Sequence, residues 1–217
     1  MKKEQLALLV IEKLKNEYPN TGCSLKYDAP WQLLIAVRLA AQCTDERVNQ
    51  ITPILFQKYP TIESIAKASY EDIADIVRPC GFVKSKAKDI IACMQLLNQR
   101  FNNTVPNTME ELLSLPGVGR KSANLILGDI FNKPAIVTDT HCIRLSNRIG
   151  LVENETNPEK VEKLLQKIIP PEEGNNLCHR FVDHGRLVCT GRSTPHCKDC
   201  CLADICVYNI CNNKSNH

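Results

Sequence analysis

Long apolar runs are missing from this sequence of 217 residues. No stretch approaches the ~20 apolar residues that a membrane span requires. The apolar run at residues 6–11 is short, and the charged residues that follow it are not those of a signal peptide. Internal repeats and low-complexity blocks are absent as well. These absences exclude a membrane protein and predict a cytoplasmic one, associated with the nucleoid if the source is prokaryotic.

A large excess of charge of either sign is also lacking. The net charge is +3 and the pI is about 8.2, below the pI of ~9 above which composition by itself indicates a nucleic-acid-binding domain. Hydrophobic residues make up 43% and charged residues 24%, the proportions of an ordinary globular protein. Charge alone therefore decides nothing about partners, and the length allows one domain or two.

Alternation of apolar and polar residues at every second position, which marks a half-buried strand, does not occur over any useful length. Helical spacing occurs instead, in amphipathic segments at residues 3–18, 85–100 and 158–169. Residues 31–42 are apolar on nearly all sides and predict a buried helix, in which Arg38 must find a partner or reach solvent. The sequence therefore predicts an all-α fold of about ten helices.

The sequence LPGVG at residues 115–119 predicts a tight turn between two helices. Pro116 fixes one backbone angle, and Gly117 and Gly119 supply positive φ or allow a close backbone approach. The backbone N–H groups of such a turn, together with the dipole of the second helix, can bind a DNA phosphate in any sequence. A plain connection between two helices explains the same residues equally well.

Two residues near this turn are candidates for chemistry. Lys121 lies in the first turn of the second helix, where the helix dipole favours the free amine that a nucleophile needs. An ordinary solvated lysine is the alternative. Asp139, in the polar segment 138–141, either caps the next helix or supplies a carboxylate to a reaction, and one residue can do both.

Seven of the twelve cysteines lie in the last 40 residues, a distribution that predicts a metal site and not a disulfide framework. Four of them have clustered spacing, with seven, two and five residues between successive members: Cys189, Cys197, Cys200 and Cys206. Four such thiolates suit an iron–sulfur cluster or a tetrahedral zinc site. Cys201 competes with Cys200, but Cys200 alone gives both of the shorter spacings. Cys211 is predicted to be a bystander.

The motif LPGVGRKSA, the aspartate of VTDTH and the terminal cysteines together resemble the endonuclease III family of the helix-hairpin-helix superfamily. The resemblance runs from the first helix to Cys206. It implies a bifunctional DNA glycosylase and abasic-site lyase, in which Lys121 attacks C1′ of the damaged nucleotide. Asp139 would assist departure of the base and stabilise the oxocarbenium-like sugar cation. The cysteines would hold a [4Fe-4S] cluster.

The same resemblance implies residues that act on the DNA helix. Gln42 matches a glutamine that enters the duplex, and Phe82 lies where the family has an apolar wedge, usually leucine. Such residues are needed because an enzyme that acts on a base must first take it out of the stack. Lys84, Ser85 and Lys86 offer further contacts to the DNA backbone beside Phe82.

Further DNA contacts are expected around the turn and the cysteines. Gly117, Gly119 and Arg120 would bind phosphate at the turn, and His141 would support the pocket or the phosphate contact. Arg192 lies in the loop between the first two cysteines, where a cation suits a salt-dependent phosphate contact. This loop holds seven residues, one more than is common in the family.

The resemblance implies two helical domains with a DNA-binding cleft between them. A six-helix domain would span residues 22–133, an iron–sulfur domain residues 1–21 with 134–211, and a disordered tail 212–217. The expected monomer binds damaged double-stranded DNA and no membrane. It would excise oxidised pyrimidines and then cleave the abasic site by β-elimination. The alternatives are an adenine-mismatch type of monofunctional glycosylase, against which Lys121 argues, and a non-catalytic iron–sulfur protein that binds DNA.

Overall fold

The structure is a computed structural model that describes the backbone of residues 1–214 and side chains through residue 210. Within that range the chain forms twelve α-helices and two 3-10 turns and contains no strand, which confirms the all-α prediction. None of these helices combines the length and apolarity needed to cross a membrane. The predicted tail at residues 212–217 lies outside the residues whose side chains are described, as does Cys211.

The chain folds as two compact units. One unit is Cys23–Phe131, and the other combines Met1–Gly22 with the residues from Asn132 onward. The first contains α2 (Pro30–Ala40), α3 (Asp45–Lys58), α4 (Ile62–Ala66), α5 (Tyr70–Val77), α6 (Val83–Arg100), α7 (Met109–Ser114) and α8 (Arg120–Asp129). The second contains α1 (Lys3–Glu17), α9 (Thr140–Ile149), α10 (Pro158–Leu165), α11 (Gly174–Leu187) and α12 (Val207–Lys214).

The buried helix predicted in the first unit is α2, which packs against α3, α6 and α8. Its leucines and isoleucine are almost fully buried, as an apolar helix surface requires: Leu33, Leu34, Ile35 and Leu39. The helix ends at Ala40, before the predicted end at Gln42. Gln42 instead has a left-handed backbone, with φ of 55°.

A helix-hairpin-helix follows in the same unit, formed by α7, the turn at residues 115–119 and α8. Thr108 starts α7, and its side-chain oxygen accepts a hydrogen bond from the Glu111 N–H at 3.3 Å. The carboxylate of Glu111 accepts in turn from the Thr108 hydroxyl at 2.7 Å. This N-cap fixes where the first helix of the hairpin begins.

The second unit is built around α11, which packs against α1 and α9. Phe181 of α11 is fully buried. After α11 the chain has no helix longer than the 3-10 turn Cys197–Asp199 until α12 begins. The segment at residues 188–206 holds the four clustered cysteines, so its shape depends on side-chain and turn contacts and not on regular structure.

Candidate active site

The turn of the hairpin needs glycine at position 117. Gly117 has φ of +77°, which L side chains rarely adopt, and a Cβ there would lie 2.9 Å from Arg38 Cδ and from Asp89 Cβ. Gly119 differs, because its φ of −98° is open to any residue. Of the two roles predicted for the glycines of the turn, only the close backbone approach is left for Gly119, and it stays a prediction. Apart from Gly119 and its neighbours along the chain, no atom of the described residues lies within 4 Å of a Cβ placed there, which leaves the outer side of the turn open.

Arg38, the charged residue of the buried helix α2, forms an ion pair next to this turn. Its Nε and Nη2 donate to Oδ2 of Asp89 in α6, at 2.8 Å and 2.7 Å. Both side chains are about three-quarters buried, and both lie against Gly117. The ion pair thus packs against the turn of the hairpin and joins α2 to α6.

Lys121 is exposed in the first turn of α8, which the buried side chains of Ala123, Ile126 and Leu127 hold in the core. Asn124, one turn after Lys121, is only 2% exposed, and no atom of the described chain accepts a hydrogen bond from its Nδ2. Sequence reasoning missed this buried amide, because it looks like one polar residue on an apolar helix. A buried unpaired amide costs about 1–3 kcal/mol.

Asp139 belongs to the other unit and is the N-cap of α9. Its Oδ1 accepts a hydrogen bond from the Cys142 N–H at 2.7 Å, and its own N–H donates to the Val137 carbonyl at 3.0 Å. The capping role considered for Asp139 is confirmed. The side chain is half-buried and held in one orientation at the positive end of the helix.

Two arginines connect α9 to the cysteine segment. Arg144 donates from Nε to the Cys189 carbonyl at 3.2 Å and from Nη2 to the Gly185 carbonyl at 3.1 Å. Arg148 donates from Nη1 to the Thr190 carbonyl at 2.8 Å, and the same nitrogen lies 3.3 Å from the sulfur of Cys189. The helix that begins at Asp139 is therefore fixed to the first of the four clustered cysteines.

The histidine and the arginine expected to contact DNA in this unit also lie near these contacts. His141 Nδ1 is 3.0 Å from Nη2 of Arg144, and the ring packs against Gly185, where a Cβ would collide with it. Arg192 is exposed on the loop between the first two cysteines. The hydroxyl of Thr190 holds that loop by donating to the Ser193 carbonyl at 3.0 Å.

Gln42 and Phe82 are both exposed, and Phe82 keeps 61% of its surface in solvent. Each has a left-handed backbone, with φ of 55° and 48°, an uncommon conformation for residues other than glycine. Lys84 is also exposed. The DNA contact expected of Lys86 is wrong, because its side chain is fully buried and its amine donates to the Leu39 and Cys80 carbonyls, each at 2.8 Å.

The four clustered cysteines line one cavity of about 290 Å³, measured with its open mouth. Burial raises the pKa of the Cys200 thiol to about 12 and raises the pKa of Cys197 and Cys206 as well. A bound cation would stabilise these thiolates. Among the described residues no three Cys, His, Asp or Glu side chains form a compact single-ion site. Four thiols around one cavity are a donor set that suits an iron–sulfur cluster or a zinc ion.

Hydrogen-bond partners surround the Cys200 sulfur, and Cys201 is absent from the lining of the cavity. The Leu202 N–H donates to Cys200 Sγ at 3.4 Å, and Nε2 of the buried His184 lies 3.3 Å away. The other ring nitrogen of His184 is 3.0 Å from the Tyr18 hydroxyl. Burial lowers the pKa of His184 to about 4, so the ring is neutral at pH 7.

Over most of its length the chain is similar to proteins of DNA repair. Residues 35–171 match the family described as HhH-GPD superfamily base excision DNA repair protein. Endonuclease III of Synechocystis sp. is 44% identical over 205 residues, which cover 94% of this chain and 93% of that protein. A structure of a non-covalent endonuclease III–DNA complex is 36% identical, with a TM-score of 0.91, and covers 99% of this chain and 100% of that one.

A second solved structure is a trapped endonuclease III–DNA covalent intermediate, an estranged-adenine complex. It is 37% identical, with a TM-score of 0.91, and covers 98% of this chain and 100% of that one.

Proposed function

Since the chain belongs to the HhH-GPD superfamily of base excision DNA repair proteins, we propose that Lys121 and Asp139 are the residues that carry its chemistry. The protein is a DNA glycosylase and abasic-site lyase of base excision repair, as the sequence predicted. Its relatives do not favour an adenine-mismatch glycosylase or a non-catalytic DNA-binding protein. One observation supports the proposal for Lys121: it is an exposed lysine at the start of the helix after the hairpin, in a chain similar to one that forms a covalent intermediate with DNA.

In the first step the Lys121 amine attacks C1′ of the damaged nucleotide. The C1′–N bond breaks, and the base leaves with the bonding electrons and takes up a proton. Positive charge develops on the sugar as this bond lengthens, and the carboxylate of Asp139 stabilises that charge. The cap that Asp139 makes holds its carboxylate in place, so little reorganisation is needed when the charge appears.

In the second step a proton passes from the amine bound to C1′ to the ring oxygen O4′, and the C1′–O4′ bond opens to give a protonated Schiff base and a hydroxyl at C4′. This electron sink acidifies the C2′ protons, one of which is removed by a base. The electron pair of that C2′–H bond ends as a C2′=C3′ double bond conjugated with the Schiff base at C1′. The C3′–O bond breaks in the same step, and the 3′ phosphate departs. Water then hydrolyses the Schiff base and frees Lys121 for another turnover.

The DNA contacts are proposed on the same basis. Gly117, Gly119 and Arg120 would bind the phosphate backbone at the open outer side of the turn. Exposed cations at Lys84 and Arg192 would add salt-dependent contacts, and His141 would support them from the start of α9. Gln42 and Phe82, which are exposed, would fill the space left by the extruded base.

We propose that the damaged base is an oxidised pyrimidine. The related covalent complex holds an estranged adenine, and the partner of adenine in a duplex is a pyrimidine. A monomer would act on double-stranded DNA that contains such a base or an abasic site. We propose a cytoplasmic location for this work, at the nucleoid if the source is prokaryotic.

The cofactor proposed for the cavity is a [4Fe-4S] cluster, held by the four residues that line it: Cys189, Cys197, Cys200 and Cys206. When bound, the cluster supplies a structural crosslink between segments that lack regular structure. Arg148 would neutralise part of the negative charge that four thiolates bring, because its guanidinium lies against the Cys189 sulfur. Thiolate ligands also suit zinc, so metal analysis is the direct check.

Borohydride trapping tests the proposed nucleophile. Wild-type protein should be captured on duplexes that contain an abasic site or thymine glycol, and Lys121→Ala should lose capture and slow base excision by at least about 100-fold. Lys88→Ala, which removes an exposed lysine of α6 in the same unit, should behave as wild type. Failure of the wild type to be captured would overturn the lyase step, and capture of Lys121→Ala would move the nucleophile elsewhere.

A further inference from the structure

Lys86 has 0% of its surface exposed, although lysine is almost never fully buried without a partner. Its Nζ donates to two backbone carbonyls, those of Leu39 and Cys80, at 2.8 Å each. The same atom lies 6.0 Å from the centre of the Phe82 ring. A buried amine held in this way cannot reach a phosphate or a sugar, so the proposed chemistry does not use it directly.

The two carbonyls belong to the segments that lead into Gln42 and Phe82, both of which are exposed and have a left-handed backbone. Leu39 is three residues before Gln42, and Cys80 is two residues before Phe82. The first carbonyl lies in the last turn of α2, and the second ends the 3-10 turn Arg78–Cys80. One side chain therefore fastens both segments, which are far apart in sequence.

The hydrogen bond from Lys86 to the Leu39 carbonyl also takes the place of a helical hydrogen bond at the end of α2. In a longer α2 the Leu39 carbonyl would accept from the N–H of Cys43, four residues on. Lys86 donates to that carbonyl instead, and the Cys43 N–H donates to the Ala40 carbonyl at 3.1 Å. The helix thus ends before Gln42, and the chain turns where Gln42 takes its positive φ.

We propose that Lys86 is a positioning residue that fixes the spacing between Gln42 and Phe82, so that the two side chains enter the duplex together. This inference rests on the proposed function, in which these two residues fill the space of the extruded base. A left-handed backbone is strained for residues other than glycine and persists only where the surrounding structure holds it. The two hydrogen bonds of Lys86 hold both segments next to those positions.

The variant Lys86→Met tests this role, because methionine keeps an unbranched apolar side chain but donates to neither carbonyl. Excision of thymine glycol from a duplex should fall at least about tenfold in kcat/KM, since small displacements of positioning groups cost up to about 100-fold. Cleavage of a single-stranded abasic oligonucleotide should stay within about twofold of wild type. This substrate has no base to extrude, and without a partner strand it has no gap in a duplex to be filled.

Two further measurements separate positioning from general damage to the fold. Fluorescence of 2-aminopurine placed opposite the lesion should rise on binding to wild type and rise much less with Lys86→Met. The matched control is Lys88→Met, which removes an exposed lysine two residues along α6 and should match wild type on both substrates. Equal loss on the duplex and on the single strand, or no loss on either, would overturn the role of Lys86.

Surface variants keep the inference testable even where Lys86→Met does not fold. Gln42→Ala and Phe82→Ala change exposed side chains, and residues that act as one unit show non-additive effects in a double-mutant cycle. We expect the double variant to lose little more duplex activity than the worse single variant. Independent, multiplying losses would overturn the inference. A wild type that shows no activity on either substrate would instead overturn the proposed function itself.

Discussion

At the scale of single residues, Cys200 and Cys201 show how neighbouring thiols acquire different roles. Cys200 lines the cavity with the three other clustered cysteines, and the Leu202 N–H donates to its sulfur. Cys201 lies outside that lining, in the electrostatic field of Glu17 and Lys13 from α1. The spacing of the cysteines favours Cys200 over Cys201 as the metal ligand. The lining of the cavity is an independent reason for the same choice.

Serine at each of these positions in turn gives a matched pair of variants. Cys200→Ser should lose most of its iron and acid-labile sulfide together with the visible absorption of the cluster, because the hydroxyl is a poor replacement for a thiolate ligand. Cys201→Ser should keep all three. Retention by Cys200→Ser with loss by Cys201→Ser would reverse the assignment, and stoichiometric zinc without iron in the wild type would overturn the cluster.

Residue roles were predictable from sequence where the contact is local, as for the cap that Asp139 makes, and not where the partner is distant. Lys84 and Lys86 look alike in sequence, but only Lys86 is buried. The amine of Lys86 donates to the carbonyl of a residue 47 positions earlier. Arg38 was expected to need a partner, yet nothing in the sequence names Asp89, which is 51 positions on. Burial and pairing of charges depend on packing between elements, which local patterns do not contain.

At the scale of elements, α9 joins the candidate carboxylate to the cysteine segment. Asp139 caps its first turn, and Arg144 and Arg148 fasten its later turns to Cys189 and its neighbours. One side chain at the N-cap thus has two separable properties. Its oxygen accepts a hydrogen bond from the helix, and its charge is available to a sugar cation.

Asparagine and alanine at position 139 separate the cap from the charge. Asparagine caps helices about as well as aspartate, so Asp139→Asn should lower the melting temperature little. It should slow base excision by about 100-fold or more, because the stabilising charge is gone. Asp139→Ala should add a loss of about 1 kcal/mol in stability as the cap disappears. Thermal melting and single-turnover excision check both; wild-type excision by Asp139→Asn would leave the residue as a cap alone.

Helix starts were easier to predict than helix ends. Asp139 caps α9, as its position in the sequence predicts, and Thr44 and Thr108 cap α3 and α7 in the same way, because an N-cap is a local bond between residues three apart. The end of α2 was placed too late, since the apolar pattern continues past Ala40 while Lys86, from another helix, takes the Leu39 carbonyl. The start of α12 at Val207 carried no sequence signal strong enough to predict it.

At the scale of the whole molecule, the two units differ in what stabilises them. The unit Cys23–Phe131 has an apolar core around α2 and α6. In the other unit, residues 188–206 contain one short 3-10 turn and few fully buried apolar side chains beyond Leu202. Such a segment cannot offset the loss of chain entropy by burial alone, so the proposed cluster should supply much of its stability.

Removal of the metal should therefore loosen one unit and spare the other. After oxidative destruction of the cluster and chelation of the iron, amide hydrogen exchange should speed up across residues 188–206. It should also speed up in α9, because Arg144 and Arg148 connect that helix to Cys189 and Thr190. Amides of α2 and α6 should keep their rates and serve as the internal control. Equal acceleration in both units would mean that the metal stabilises the molecule as a whole, and unchanged exchange at residues 188–206 would show that it is not a structural crosslink.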